Sequence, residues 1–92
     1  MVTKLEELIL DNFKKLTLAL QQDQRREAEK IFAKNQSLIS TMPNDAYLFG
    51  EYLLFSDRVL ECDYDLDSVA YAYNQMHFEF NKQKYPEKFK DS

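Results

Sequence analysis

The sequence predicts an all-α protein in which four short antiparallel helices form two helical hairpins in a small bundle. Apolar residues recur at helical spacing in separate stretches of the 92-residue chain. One glycine and two prolines are too few for a turn-rich all-β fold. The alternative is an α+β fold with a β-hairpin at 69–81, where aromatic residues alternate. We assign 1–84 to a single helical domain and 85–92 to a polar C-terminal tail.

The first helix is predicted over residues 3–21. Thr3 and Glu6 have the spacing of a capping box, in which each side chain accepts from the backbone N–H of the other residue. Leu10 and Leu18 fall among the charged residues, outside the apolar face. That face is formed by Leu5, Leu8, Ile9, Phe13, Leu16, Ala19 and Leu20.

The second helix is predicted over 24–40, with Asp23 as its N-cap. Residues 40–45 then contain Pro43 and form the strongest break in the pattern. The third helix is predicted over 44–61 because Pro43 suits a first helical turn. It is the most apolar segment, so we expect it to be the central helix of the core. Gly50 lies inside it, and a close approach by another backbone would explain that glycine.

The fourth helix is predicted over 66–82, with Asp65 or Asp67 as its N-cap. Its apolar positions are spaced four, three and four residues apart, which is typical of a core stripe. The stripe consists of Val69, Tyr73, Met76 and Phe80. Two consecutive hairpins also indicate an internal repeat of about forty residues.

Charge is concentrated in one part of the chain. The net charge is −4 overall, but residues 42–67 carry one arginine against seven acidic side chains, a local net charge of −6. Such a segment repels phosphate backbones, so we expect no direct contact with nucleic acid. A basic protein remains a possible partner. The alternative interpretation is that the acidic residues serve only solubility.

Motifs that carry chemistry are few. Asp63, Asp65 and Asp67 resemble the opening of a calcium loop, but the required glycine and glutamate are missing. We therefore favour helix capping over a weak cation site. Cys62 and His77 lie on different predicted elements without an oxyanion-type loop, so a catalytic dyad is not indicated. We predict no catalytic residue, no metal site and no cofactor.

The predicted partner-binding residues centre on apolar side chains that lie outside the apolar face of their helix. Tyr47 and Leu54 lie outside the apolar arc of the third helix, seven residues apart, and Glu51 and Arg58 lie beside them. In a twofold antiparallel contact, Glu51 of one chain would meet Arg58 of the other. Leu10 and Leu18 are predicted to form a second patch for a different partner.

The predicted function is that of a small non-enzymatic protein–protein interaction module, an adaptor, regulator or inhibitor that forms a homodimer. The alternative is an acidic accessory subunit or anti-effector that contacts a basic protein of the nucleic-acid machinery. An enzyme is the least favoured class. A single cysteine, Cys62, excludes an internal disulfide, and no apolar run is long enough to cross a membrane. We expect a cytoplasmic protein with no membrane partner.

Overall fold

Four α-helices make up the fold. The structure, a computed structural model, describes residues 2–89. The helices are α1 (Lys4–Gln21), α2 (Arg25–Ile39), α3 (Phe49–Glu61) and α4 (Leu66–Lys84), followed by a 3₁₀ turn (Pro86–Phe89). The all-α prediction is confirmed. The β-hairpin alternative at 69–81 is wrong, because that segment lies entirely within α4 and residues 2–89 contain no strand.

The first helix begins with the predicted capping box. The Glu6 N–H donates to Thr3 Oγ1 at 3.2 Å, and the Thr3 N–H donates to Glu6 Oε1 at 2.9 Å. Two backbone donors that the helix leaves unpaired are thereby satisfied.

The turn between α1 and α2 is a Schellman motif. The Gln24 N–H donates to the Ala19 carbonyl at 2.8 Å, and the Asp23 N–H donates to the Leu20 carbonyl at 3.1 Å. Asp23 adopts the left-handed conformation, with φ of 57°. The prediction that Asp23 caps α2 is therefore wrong, because this residue closes α1. Gln24 is the N-cap of α2, without a side-chain hydrogen bond to that helix.

The turn between α3 and α4 uses the same motif forty residues later. The Tyr64 N–H donates to the Val59 carbonyl at 3.0 Å, and the Asp63 N–H donates to the Leu60 carbonyl at 3.1 Å. Asp63 and Tyr64 both have positive φ, 52° and 61°. Both hairpins therefore turn through a Schellman motif, and the spacing of the two motifs matches the repeat of about forty residues that the sequence indicated.

Helix α3 begins at Phe49, five residues later than predicted. In residues 43–49 the Ala46 N–H donates to the Pro43 carbonyl and the Phe49 N–H to the Ala46 carbonyl, which makes two isolated turns. Met42 and Leu48 are both buried, at the two ends of this connector. We attribute the late start of α3 to the burial of both ends of this connector.

The central helix is α1, not α3 as predicted. It packs against both α2 and α4, and its Phe13 ring contacts α3 through Phe55, with centroids 4.4 Å apart, and Tyr52, at 6.0 Å. Helix α3 lies at the edge of the bundle and leaves Leu53 and Leu60 exposed. The core residues are Ile9, Leu10, Phe13, Leu16, Ala19, Ala28, Phe32, Ile39, Met42, Leu48, Tyr52, Phe55, Val59, Val69, Met76 and Phe80.

Gly50 lies on the solvent-facing side of α3. A Cβ added at this position meets no atom within 4 Å. The close backbone approach expected from the sequence is therefore absent among residues 2–89.

Buried polar side chains align the helices. Asn35 is completely buried and donates through Nδ2 to the Ile9 carbonyl at 2.9 Å, while Asn12 Nδ2 donates to Asn35 Oδ1 at 3.0 Å. The Tyr52 hydroxyl donates to the Glu6 carbonyl at 2.7 Å. Such bonds oppose sliding of one helix past another, because any shift leaves buried polar atoms unpaired.

Candidate functional site: a groove between α3 and α4

The candidate site is an apolar groove of about 160 Å³ between α3 and α4, called the α3–α4 groove below. Its base is formed by the buried side chains of Phe55 and Met76. Leu54 and Tyr71 lie along it and are 65% and 62% exposed. The complete lining is Glu51, Leu54, Phe55, Arg58, Tyr71, Ala72, Gln75 and Met76.

Helical spacing explains why these side chains meet. Residues three, four and seven apart share one helix face. On α3 this rule aligns Glu51, Leu54 and Arg58, and on α4 it aligns Tyr71 and Gln75. Because a short turn joins α3 to α4 and the two helices pack against each other, these faces lie side by side along the groove.

Opposite charges lie at the two ends of the α3 side of the groove. Glu51 and Arg58 are seven residues apart, two helical turns, and both line it. Asp57 and Glu61 are exposed on the outer face of α3. Within residues 2–89, none of these four side chains forms an ion pair. Their charges are therefore available to a partner.

Three of the four partner-binding residues predicted near the third helix line this groove, but Tyr47 does not. Tyr47 is 61% exposed and lies in the connector before α3. The predicted line through Tyr47 and Leu54 requires a continuous helix, which the connector interrupts. Tyr71 of α4 is the aromatic residue that accompanies Leu54 instead.

The two residues of the second predicted patch, Leu10 and Leu18, differ in exposure. Leu10 is buried, 7% exposed, so its prediction as a surface residue is wrong. The physical reason is that α4 packs over this side of α1, where Phe80 of α4 is buried and lines the same cavity as Leu10. Leu18 of α1 is 43% exposed, as predicted, and lines a cavity between α1 and α4 together with Tyr73.

Two of the acidic residues after α3, Asp63 and Asp65, have structural partners. The Arg25 guanidinium donates to the Asp63 carboxylate and also lies over the Tyr64 ring, 4.9 Å from its centroid. The hydrogen bond and positive charge of Arg25 hold the pKa of Asp63 below its usual value. Asp65 accepts from the Ser68 N–H at 3.1 Å, which confirms it as the N-cap of α4.

The side chains considered for metal binding and catalysis lie in different parts of the described structure. Residues 2–89 hold no group of three or more His, Cys, Asp or Glu side chains placed to bind a metal ion. His77 packs between Tyr73 and Phe80, with ring centroids 5.5 and 6.4 Å away. Cys62 is half-buried, and its Sγ lies 3.6 Å from the Val59 carbonyl. The two side chains thus have different neighbours.

The predicted partner-binding residues do not include Tyr71 and Phe78. Both are exposed on α4, seven residues apart, and Phe78 also contacts Phe89 of the 3₁₀ turn edge-to-face at 5.4 Å. The available signal was that neither belongs to the core stripe of α4. The described part of the predicted tail thus folds back onto α4, while residues 90–92 lie outside the described residues.

Comparison with known proteins finds no match among family models, curated proteins or solved structures. None of the helices within residues 2–89 combines the length and apolar character needed to cross a membrane.

Proposed function

We propose that this protein is a small, cytoplasmic, non-enzymatic interaction module that contacts another protein through its α3–α4 groove. The observation that carries the proposal is the exposure of Leu54 and Tyr71 above a base formed by Phe55 and Met76. Burial of one such large side chain is worth about 1.5–3 kcal/mol. An apolar patch with charged residues at its rim is typical of a contact surface.

A second copy of the chain is the proposed occupant. When two α3 helices pack antiparallel across a twofold axis, Glu51 of each copy faces Arg58 of the other. The axis then passes close to Leu54, which lies between them in sequence. Each copy thereby supplies both members of the charge pair and the same apolar centre.

Sedimentation equilibrium tests the dimer. Leu54→Asp should shift the protein towards monomer, because an unpaired carboxylate would be buried at the centre of the contact. Leu60→Asp is the matched control, since Leu60 is 56% exposed on the same helix and does not line the α3–α4 groove. Circular dichroism should show unchanged helix in both variants. A wild-type monomer at high micromolar concentration would contradict the homodimer.

A charge exchange tests the register of the contact. Glu51→Arg alone places two arginines together and should weaken the dimer. Combining it with Arg58→Glu restores opposite charges and should recover most of the lost association. Equal weakening by the single and double variants would reject the twofold pairing while leaving the groove as an interaction surface.

A basic protein is the second candidate partner. The observation favouring it is that Asp57 and Glu61 of α3 and Asp67 of α4 are exposed and form no ion pair within residues 2–89. Binding of such a partner should weaken as salt rises, because salt screens exposed charges. Neutralising Asp57 and Glu61 to Asn and Gln should then reduce both the affinity and its salt dependence.

A further inference from the structure

A second groove runs along the opposite flank of α4, between α4 and α1. Two adjoining cavities of about 530 and 240 Å³ form it, and both are lined by Lys14 and Tyr73. One cavity extends to Lys4 and Lys84, and the other extends to Gln21. The two cavities follow each other along α1 and α4 and are together called the α1–α4 groove below.

The lining of this groove combines apolar side chains with charged and polar ones. Leu10 and Phe80 are buried at its base, and Tyr73 is half-buried between the two cavities. Leu8 and Leu18 are each 43% exposed at its rim. The groove therefore offers apolar contact area to a partner.

The charges that remain available in the groove are positive. Of the two carboxylates that line it, Glu7 accepts from Lys84 at 2.8 Å and Asp11 pairs with Lys15 at 3.2 Å. Lys4 and Lys14 also line it and form no ion pair within residues 2–89. This flank of α4 thus differs from the acidic outer face of α3.

We propose that the α1–α4 groove is a second docking site, and that it binds an amphipathic helix of another protein carrying acidic residues. Lys4 and Gln21 are seventeen residues apart, about 26 Å along α1, which is the length of a helix of about seventeen residues. Lys4 and Lys14 are about 15 Å apart, which matches acidic residues about three turns apart on the partner helix. Helix-in-groove binding with apolar anchors and complementary charge is a recurring mode of recognition.

This site does not depend on the α3–α4 groove. If both sites bind, the protein connects two partners through opposite flanks of α4.

Two synthetic helical peptides provide the test. Both have about seventeen residues and leucines on one face; the first carries two glutamates eleven residues apart, and the second carries lysines at those positions. Fluorescence anisotropy should show tighter binding of the glutamate peptide to the wild type. The double variant Lys4→Glu/Lys14→Glu should bind the glutamate peptide about tenfold more weakly and should prefer the lysine peptide.

Leucine variants and shift mapping complete the test. Leu18→Asp should abolish binding of the glutamate peptide, whereas Leu60→Asp should leave it unchanged, and circular dichroism should show both variants folded. In ¹H–¹⁵N spectra the peptide should shift the amides of Lys14 and Tyr73. Equal affinity for the two peptides, no binding by the wild type, or shifts centred on Tyr71 instead would overturn the proposal.

Discussion

Asn35 is a fully buried amide that receives one hydrogen bond and donates another, and both bonds join α2 to α1. Asn35→Ala should lower the free energy of unfolding by about 2 kcal/mol, because the Asn12 amide and the Ile9 carbonyl lose a partner inside the protein. Urea denaturation measures this loss. Asn74→Ala, an exposed position on α4, is the matched control. An equal effect at both positions would show that the buried pair contributes nothing specific.

Asp23 is a non-glycine residue in the left-handed conformation at the end of α1. Asp23→Gly should raise the free energy of unfolding by about 1 kcal/mol, since glycine adopts this conformation without a steric cost. Lys34→Gly places a glycine inside α2 instead and should lower the free energy of unfolding. Urea denaturation of both variants tests the assignment, and destabilisation by Asp23→Gly would contradict the left-handed geometry.

Arg25 connects the start of α2 to the turn between α3 and α4. It binds the Asp63 carboxylate, and Asp63 and Tyr64 both have positive φ. Because Arg25 lowers the pKa of Asp63 in the folded protein, the contribution of this carboxylate to stability is complete above the pKa of an unfolded aspartate. It is then lost as the pH falls through the lowered folded-state pKa.

Asp63→Asn should therefore destabilise the protein at neutral pH and have no effect at low pH. Asparagine keeps the tolerance for positive φ and removes only the charge. Thermal unfolding across a pH series measures the difference between variant and wild type. Asp57→Asn is the control, because Asp57 forms no ion pair within residues 2–89. A difference that does not change with pH would reject the role of the Arg25–Asp63 pair.

Most of the elements could be predicted from local signals. The capping box at Thr3 and the cap at Asp65 fix the starts of α1 and α4, because both depend on side chains within four residues. The start of α3 could not be predicted in this way. There the helical preference of the segment after Pro43 competes with the burial of Met42 and Leu48, and burial depends on helices distant in sequence.

Tyr52 joins the second hairpin to the first. Its buried hydroxyl donates to the Glu6 carbonyl, and burial, reinforced by the nearby Glu6 charge, raises its pKa well above the ordinary value. Tyr52→Phe should cost about 1 kcal/mol at neutral pH. Since the folded-state pKa is raised, the wild type should lose stability as the pH rises above about 10, the pKa of an unfolded tyrosine.

Urea denaturation of wild type and Tyr52→Phe between neutral and alkaline pH measures both effects. The variant should lose less stability than the wild type at high pH, because phenylalanine does not ionise. Tyr47→Phe is the matched control at an exposed position. Identical alkaline profiles for wild type and Tyr52→Phe would show that another group titrates.

The candidate site was predictable only in part, because it is a property of the assembled bundle. Glu51, Leu54 and Arg58 could be identified from α3 alone, since Leu54 is an apolar residue outside the apolar face and the other two lie beside it. Tyr71 enters the groove only through the packing of α4 against α3. Leu10 was misplaced for the same reason, since the helical wheel of α1 does not show that α4 covers part of its charged side.

The ion pair between Lys84 and Glu7 brings the end of α4 beside the start of α1, with 2.8 Å between the two charged groups. We therefore expect the fold to tolerate circular permutation. A glycine-serine linker could join residue 89 to residue 2, and the chain could be opened in the exposed connector around Asn44. Such a permutant would contain the second hairpin before the first and should retain the helical circular dichroism and cooperative unfolding of the parent. Such a result would show that the packing of the two hairpins does not depend on their order along the chain.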